Sequence, residues 1–135
     1  MAFLDETGLA ELWSLVRSAD VKIETGSYVG TGKYGESNPN SITFSFAPKM
    51  VFMLKDKYEL LFGCKGDATG NYRFFLPMYL MDTTYKGNQG FTNGRNQTYY
   101  GKRSEDGKTL YWYHDSTATA QLNSSVCEYY YLAIG

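Results

Sequence analysis

Residues 41–48, Ser41-Ile42-Thr43-Phe44-Ser45-Phe46-Ala47-Pro48, decide the fold class. Hydroxyl and apolar side chains alternate strictly from 41 to 46, the period-two pattern of a strand with one buried face. Pro48 ends the run, because proline has no N–H to give to a ladder. The pattern extends on both sides. Upstream, Lys22 to Val29 alternates and closes in Gly30-Thr31-Gly32, and a turn-rich loop runs from Gly35 to Asn40. Downstream, Lys49 to Lys55 is apolar between its two lysines, as in a strand covered on both faces, and Tyr58 to Cys64 continues that character. Tyr72 to Met81 reads as a strand interrupted by Pro77, which suits an edge or a bulge. Tyr99 to Ser104 and Thr109 to His114 form a hairpin around Glu105-Asp106-Gly107, since Asp-Gly is a strong hairpin signal. Cys127 to Ile134 is the last strand. The expected inward residues are Ile42, Phe44, Phe46, Val51, Met53, Trp112, Leu132 and Ile134.

The first twenty residues follow a different period. Leu9, Leu12, Trp13 and Val16 fall on one face of a helix, with Asp5 or Thr7 as its N-cap and Arg17 in its last turn. At about three turns such a helix is too short to stand alone in water. Its stripe, with Phe3 and Leu4 just ahead, must be buried, either on its own domain or against copies of itself. The expectation is a mainly β protein: residues 1–20 form one short N-terminal α-helix for oligomerisation or docking, and residues 21–135 an antiparallel, jelly-roll-like β-sandwich of seven to nine strands.

Composition excludes more than it names. The 135 residues carry a formal charge of −1, with no clustering of cations for nucleic acid or an anionic membrane. No apolar run approaches a membrane span, so no membrane insertion is expected. Two cysteines, Cys64 and Cys127, give neither a disulfide framework nor, with the single His114, a metal-ligand spacing; free thiols and no metal are expected. No nucleophile elbow, phosphate loop or paired carboxylates point to an enzyme or a cofactor. The unusual number is aromatic: 13 Tyr, 8 Phe and 2 Trp make 17% of the chain, which fits both sheet packing and a contact surface. A long polar loop from Asp82 to Gln97, with the Tyr pair after it, combines rings, amides and a guanidinium. Tyr85, Asn88, Phe91, Arg95, Tyr99 and Tyr100 are therefore the candidate ligand-binding residues, a mixture suited to saccharides.

Three stretches resemble a known family. Phe3-Leu4-Asp5-Glu6-Thr7-Gly8-Leu9-Ala10-Glu11-Leu12-Trp13 is similar to the opening of small tail proteins encoded by phages and prophages of gram-positive bacteria. Gly26-Ser27-Tyr28-Val29-Gly30-Thr31-Gly32-Lys33-Tyr34-Gly35, followed by Asn38 to Phe44 and Phe46-Ala47-Pro48-Lys49, resembles a segment of their fibre-tip domains. Ala118-Thr119-Ala120-Gln121-Leu122-Asn123 and Tyr129-Tyr130-Tyr131-Leu132-Ala133-Ile134-Gly135 resemble their ending. The resemblance implies a non-enzymatic tail-fibre or receptor-binding module of a phage or phage-tail-like particle, made in the bacterial cytoplasm and carried on the virion tail. It implies contact with a bacterial surface saccharide or protein, and a homotrimer joined through Phe3, Leu4, Leu9, Leu12, Trp13 and Val16. The alternative is a purely structural component that binds only other tail proteins. The family supplies no catalytic residues.

Overall fold

The computed structural model describes residues 7–11, 14, 21–55, 74–87 and 99–135, with 74 and 75 as backbone only. Residues 7–11 and 14 are helical. Among the described residues eight strands follow: β1 Ile23–Val29, β2 Asn40–Thr43, β3 Met50–Leu54, β4 Phe74–Leu76, β5 Lys86–Gly87, β6 Tyr99–Arg103, β7 Thr109–His114 and β8 Glu128–Ile134. They form two four-stranded antiparallel sheets, ordered β1-β8-β3-β4 and β2-β7-β6-β5. The inner faces share one core. Phe44, Val51, Met53, Leu76, Tyr129 and Ala133 meet Tyr99, Leu110, Trp112 and Leu122 there, all nearly inaccessible to solvent. The protein is thus a mainly β, antiparallel sandwich with a short N-terminal helix.

Several details differ from the sequence expectation. Leu132 and Ile134 do not face the core. Strand β8 turns Tyr129, Tyr131 and Ala133 inward, and its other residues outward. The phase is fixed by Tyr131, whose ring lies over Gly26, its partner on β1, in space that any Cβ at 26 would occupy. Its inner side meets Phe44 edge-on, with ring centroids 5.7 Å apart. Strand β2 stops at Thr43 rather than Phe46. Beyond it the Phe44 N–H donates to the Lys108 carbonyl, and the Ser45 N–H and hydroxyl both donate to the Glu24 carboxylate. Phe44 and Phe46 remain in the core. Pro77 does not interrupt a long strand; β4 ends at Leu76, and a 3-10 turn, Met78–Leu80, follows. Part of the 82–97 loop is strand β5. The expected strand Tyr58 to Cys64 lies outside the described residues, as does Cys64 itself, whereas Cys127 carries a free thiol.

The connection between β7 and β8 holds the fold's principal polar clamp. Gln121, fully buried, accepts at Oε1 from the Gly35 and His114 N–H groups (2.9 and 3.0 Å). Its Nε2 donates to the Asn38 carbonyl and to Asn40 Oδ1 (2.8 and 3.0 Å). Asn123 does the same one turn along: Oδ1 accepts from the Thr31 N–H, and Nδ2 donates to Thr31 Oγ1 and the Lys33 carbonyl. Between them Leu122 takes a left-handed backbone (φ 56°), and its carbonyl accepts the Tyr28 hydroxyl at 2.8 Å. Buried amides are tolerated only when their donors and acceptors are matched, and these are. Two segments distant in sequence, 30–40 and 117–123, are thereby locked together. The Gly-rich and Ala-Gln-Leu-Asn motifs are two halves of one structural joint.

Candidate functional site

Strands β6 and β7 place a row of aromatic rings on the outward face of the second sheet. The turn at Asp106-Gly107 sets the register: Ser104 Oγ donates to the Asp106 carboxylate, and Gly107 takes φ 72°, open to glycine at little cost. The pairing that follows puts Tyr100 opposite Tyr113 and Lys102 opposite Tyr111. Inward residues Tyr99, Gly101, Leu110 and Trp112 alternate with these and are buried. Strand β5 adds to the edge of the same face: Lys86 pairs with Gly101 and Gly87 with Tyr100, which sets Tyr85 in line with Lys102.

The side chains form one continuous cluster. Tyr100 stacks on Tyr113, with centroids 4.7 Å apart and planes 13° from parallel. Tyr85 meets Tyr113 edge-on at 5.1 Å. The Lys102 ammonium lies over two rings, 4.6 Å from the centre of Tyr85 and 5.2 Å from that of Tyr111. Each such contact contributes about 0.5–1 kcal/mol at an exposed site, so the cation is held rather than free to swing. Burial raises the pKa of Tyr85, and the neighbouring phenols Tyr113 and Tyr111 and the Glu36 carboxylate raise it further. Tyr113 is raised by burial first, then by the charges of Glu36 and Asp115 and by Tyr100. Tyr113, 6% exposed, forms the floor of the cluster, and the half-buried Tyr85, Tyr100 and Tyr111 carry its outer rings. Ser41, opposite Tyr111 on β2, extends the row with a further hydroxyl.

Two of the residues singled out from sequence, Tyr85 and Tyr100, belong to this face. Tyr99 does not: it is fully buried, points into the core and packs against His114 with centroids 4.7 Å apart. Adjacent residues on a strand face opposite ways, so the Tyr99-Tyr100 pair could not act as one surface. Asn88, Phe91 and Arg95 lie outside the described residues, as do Phe3, Leu4, Leu12, Trp13 and Val16. Leu9 is 55% exposed on the helix. Lys102, Tyr111 and Tyr113 were missed by sequence reasoning, although the hairpin register supplied the signal: counting outward from Asp106-Gly107 pairs 102 with 111 and 100 with 113.

The cluster presents aromatic rings, phenol hydroxyls and one ammonium. His114 is 2% exposed, its Nδ1 accepts the Ser116 N–H at 3.0 Å, and burial lowers its pKa against the opposing pull of Asp115. Its ring packs against Tyr99 inside the sandwich. Among the described residues no three His, Cys, Asp or Glu side chains converge as metal ligands, and no helix is long and apolar enough to cross a membrane. Compared with protein-family models, curated proteins and solved structures, the chain matches none.

Proposed function

We propose that the chain is a non-enzymatic receptor-binding module of a phage tail fibre or phage-tail-like particle, which contacts a bacterial surface saccharide through the outward face of its second sheet. The observation that carries this reading is the cluster Tyr85, Tyr100, Tyr111 and Tyr113 with Lys102 held among the rings. Aromatic rings with matched hydroxyls suit sugar rings, whose C–H faces stack and whose hydroxyls hydrogen-bond at the edges. The rings sit on a rigid ladder, so little side-chain entropy is lost on binding. A single face of this size binds weakly, and a homotrimer joined through the N-terminal helices would multiply its strength by avidity. The motif resemblance supplies the tail context and the trimer.

The second reading, a structural component that binds only other tail proteins, is favoured by the other sheet. Its outward face pairs Leu132 with Phe52 and Ile134 with Met50 and Ile23, an apolar surface in which Ile23 is 65% exposed. Binding of the full chain to an array of gram-positive cell-wall glycans separates the two. The receptor reading expects glycan signal that falls at least about tenfold in Tyr100→Ala and Tyr111→Ala, the loss of about 1.4 kcal/mol that one stacked ring supplies. No glycan signal, with retention of tail proteins on the immobilised chain, supports the structural reading.

A further inference from the structure

A second site adjoins the β2 end of the aromatic row, with Ser41 common to both, at the open side of the sandwich where edge strands β1 and β2 diverge. There a cleft of about 300 Å³ opens between the end of β1, the 31–41 loop and the start of β2. That is the small end of the range for ligand clefts, room for one compact polar molecule. Tyr28 and Trp112 lie at its base, with ring centroids 6.2 Å apart. Thr31, Lys33, Asn38 and Ser41 line its polar side.

The walls are fixed in advance. The base holds its shape because the Tyr28 hydroxyl donates to the Leu122 carbonyl and the Trp112 indole N–H to the Gln121 carbonyl (2.8 and 2.7 Å). The polar rim is held by the Gln121 and Asn123 amides, which bind Asn38 and residues 31 and 33 through their backbone and the Thr31 hydroxyl. Those bonds engage the Asn40 and Asn123 amides, and the Lys33, Asn38 and Ser41 side chains complete the polar lining. Among the described residues Lys33 makes hydrogen bonds through its backbone alone, and its ammonium has no partner among them. It is the one charged side chain of the lining. Glu36, the nearest acid in sequence, lies instead close enough to Tyr85 and Tyr113 to act on them.

We infer that this cleft binds a small hydroxylated anion, a polyol phosphate or a uronic acid, with Lys33 as the counter-charge and the loop hydroxyls and amides on the ligand's hydroxyl groups. A lysine acts on such groups as a point charge and does not demand the planar geometry of an arginine fork. A neutral sugar would leave that charge unmatched, which gives the preference for an anion.

The test is a two-dimensional amide titration of the full chain with glycerol 3-phosphate, glucuronate and, as the neutral control, glucose. Saturable shifts are expected at Thr31, Lys33, Asn38, Ser41 and the Trp112 indole with one or both anions, and the stronger of the two identifies the charged group. Glucose should bind at least about tenfold more weakly, and Lys33→Gln should weaken the anion by about tenfold, the size of one charge-assisted hydrogen bond. Lys33 is exposed, so the variant keeps its fold, which an unchanged urea midpoint would verify. Tyr100→Ala should leave the titration unaltered, which separates this site from the aromatic face. Absence of saturable shifts, equal binding of glucose, or an unchanged affinity in Lys33→Gln would each overturn the inference.

Discussion

Replacing Gln121 by Leu keeps the volume and removes all four of its side-chain hydrogen bonds. The consequences differ by partner. The His114 N–H is buried and has no route to water, so its stranding costs about 1–3 kcal/mol. The Gly35 N–H keeps the His114 carbonyl as its second acceptor at 3.1 Å and loses only part of that amount, while the exposed Asn38 carbonyl and the half-buried Asn40 amide recover solvent. The sum is about 2–4 kcal/mol, a large share of the 5–15 kcal/mol that holds a domain together. With a urea slope of about 1–3 kcal/mol per molar, the unfolding midpoint should fall by roughly 1–2 M. Amide exchange adds a local readout: Gly35 and His114 should lose protection before the core amides of β3 and β8. A midpoint loss equivalent to less than about 0.5 kcal/mol, the scale of an ordinary surface substitution, would refute the view that this amide joins the two motifs.

Three further outcomes follow from the same geometry. Gly30→Ala would drive a Cβ into the backbone of Asn123 and Ser124, where no flexible side chain can yield, and should destabilise by about 1–3 kcal/mol in the same urea assay. His114 has a lowered pKa in the fold, so its contribution is complete above its unfolded value near 6.5 and is lost as pH falls below it; the midpoint should drop between pH 7.5 and about pH 5.5, and His114→Asn should remove most of that drop. Glu24 and Asp106 have lowered pKa values, and their contribution is present at both of those pH values and lost only in stronger acid. Light scattering should give a trimer for the intact chain and a monomer for one starting at Asp20; a 15.3 kDa intact species would leave the helix as a docking element for another protein.

The parts legible in the sequence were those where polarity alternates or a turn is chemically marked. Strand β7 was readable to the residue, and its partner β6 to within one, because Asp106-Gly107 fixes the register and Leu110 and Trp112 alternate with Thr109 and Tyr111. Strand β8 was readable as a strand but not in its phase. From Tyr129 to Ile134 every residue is apolar or aromatic, so period two has no contrast to act on, and the inward set is decided by Gly26 across the ladder. The site was half legible for a related reason. Tyr85 and Tyr100 stood out by composition, whereas Lys102, Tyr111 and Tyr113 become neighbours only through the pairing of two strands. The Gln121 and Asn123 clamp was visible only as a motif, because its partners in the 31–40 segment lie more than eighty residues away.

The receptor-binding account is tested most directly by mapping amide and aromatic side-chain signals of the full chain while purified gram-positive cell-wall fragments are added. The account expects shifts centred on Tyr85, Tyr100, Lys102, Tyr111 and Tyr113, with the outward residues of β1, β3 and β8 unmoved. Shifts confined to that opposite apolar sheet, or none on the aromatic face at saturating fragment, would contradict it.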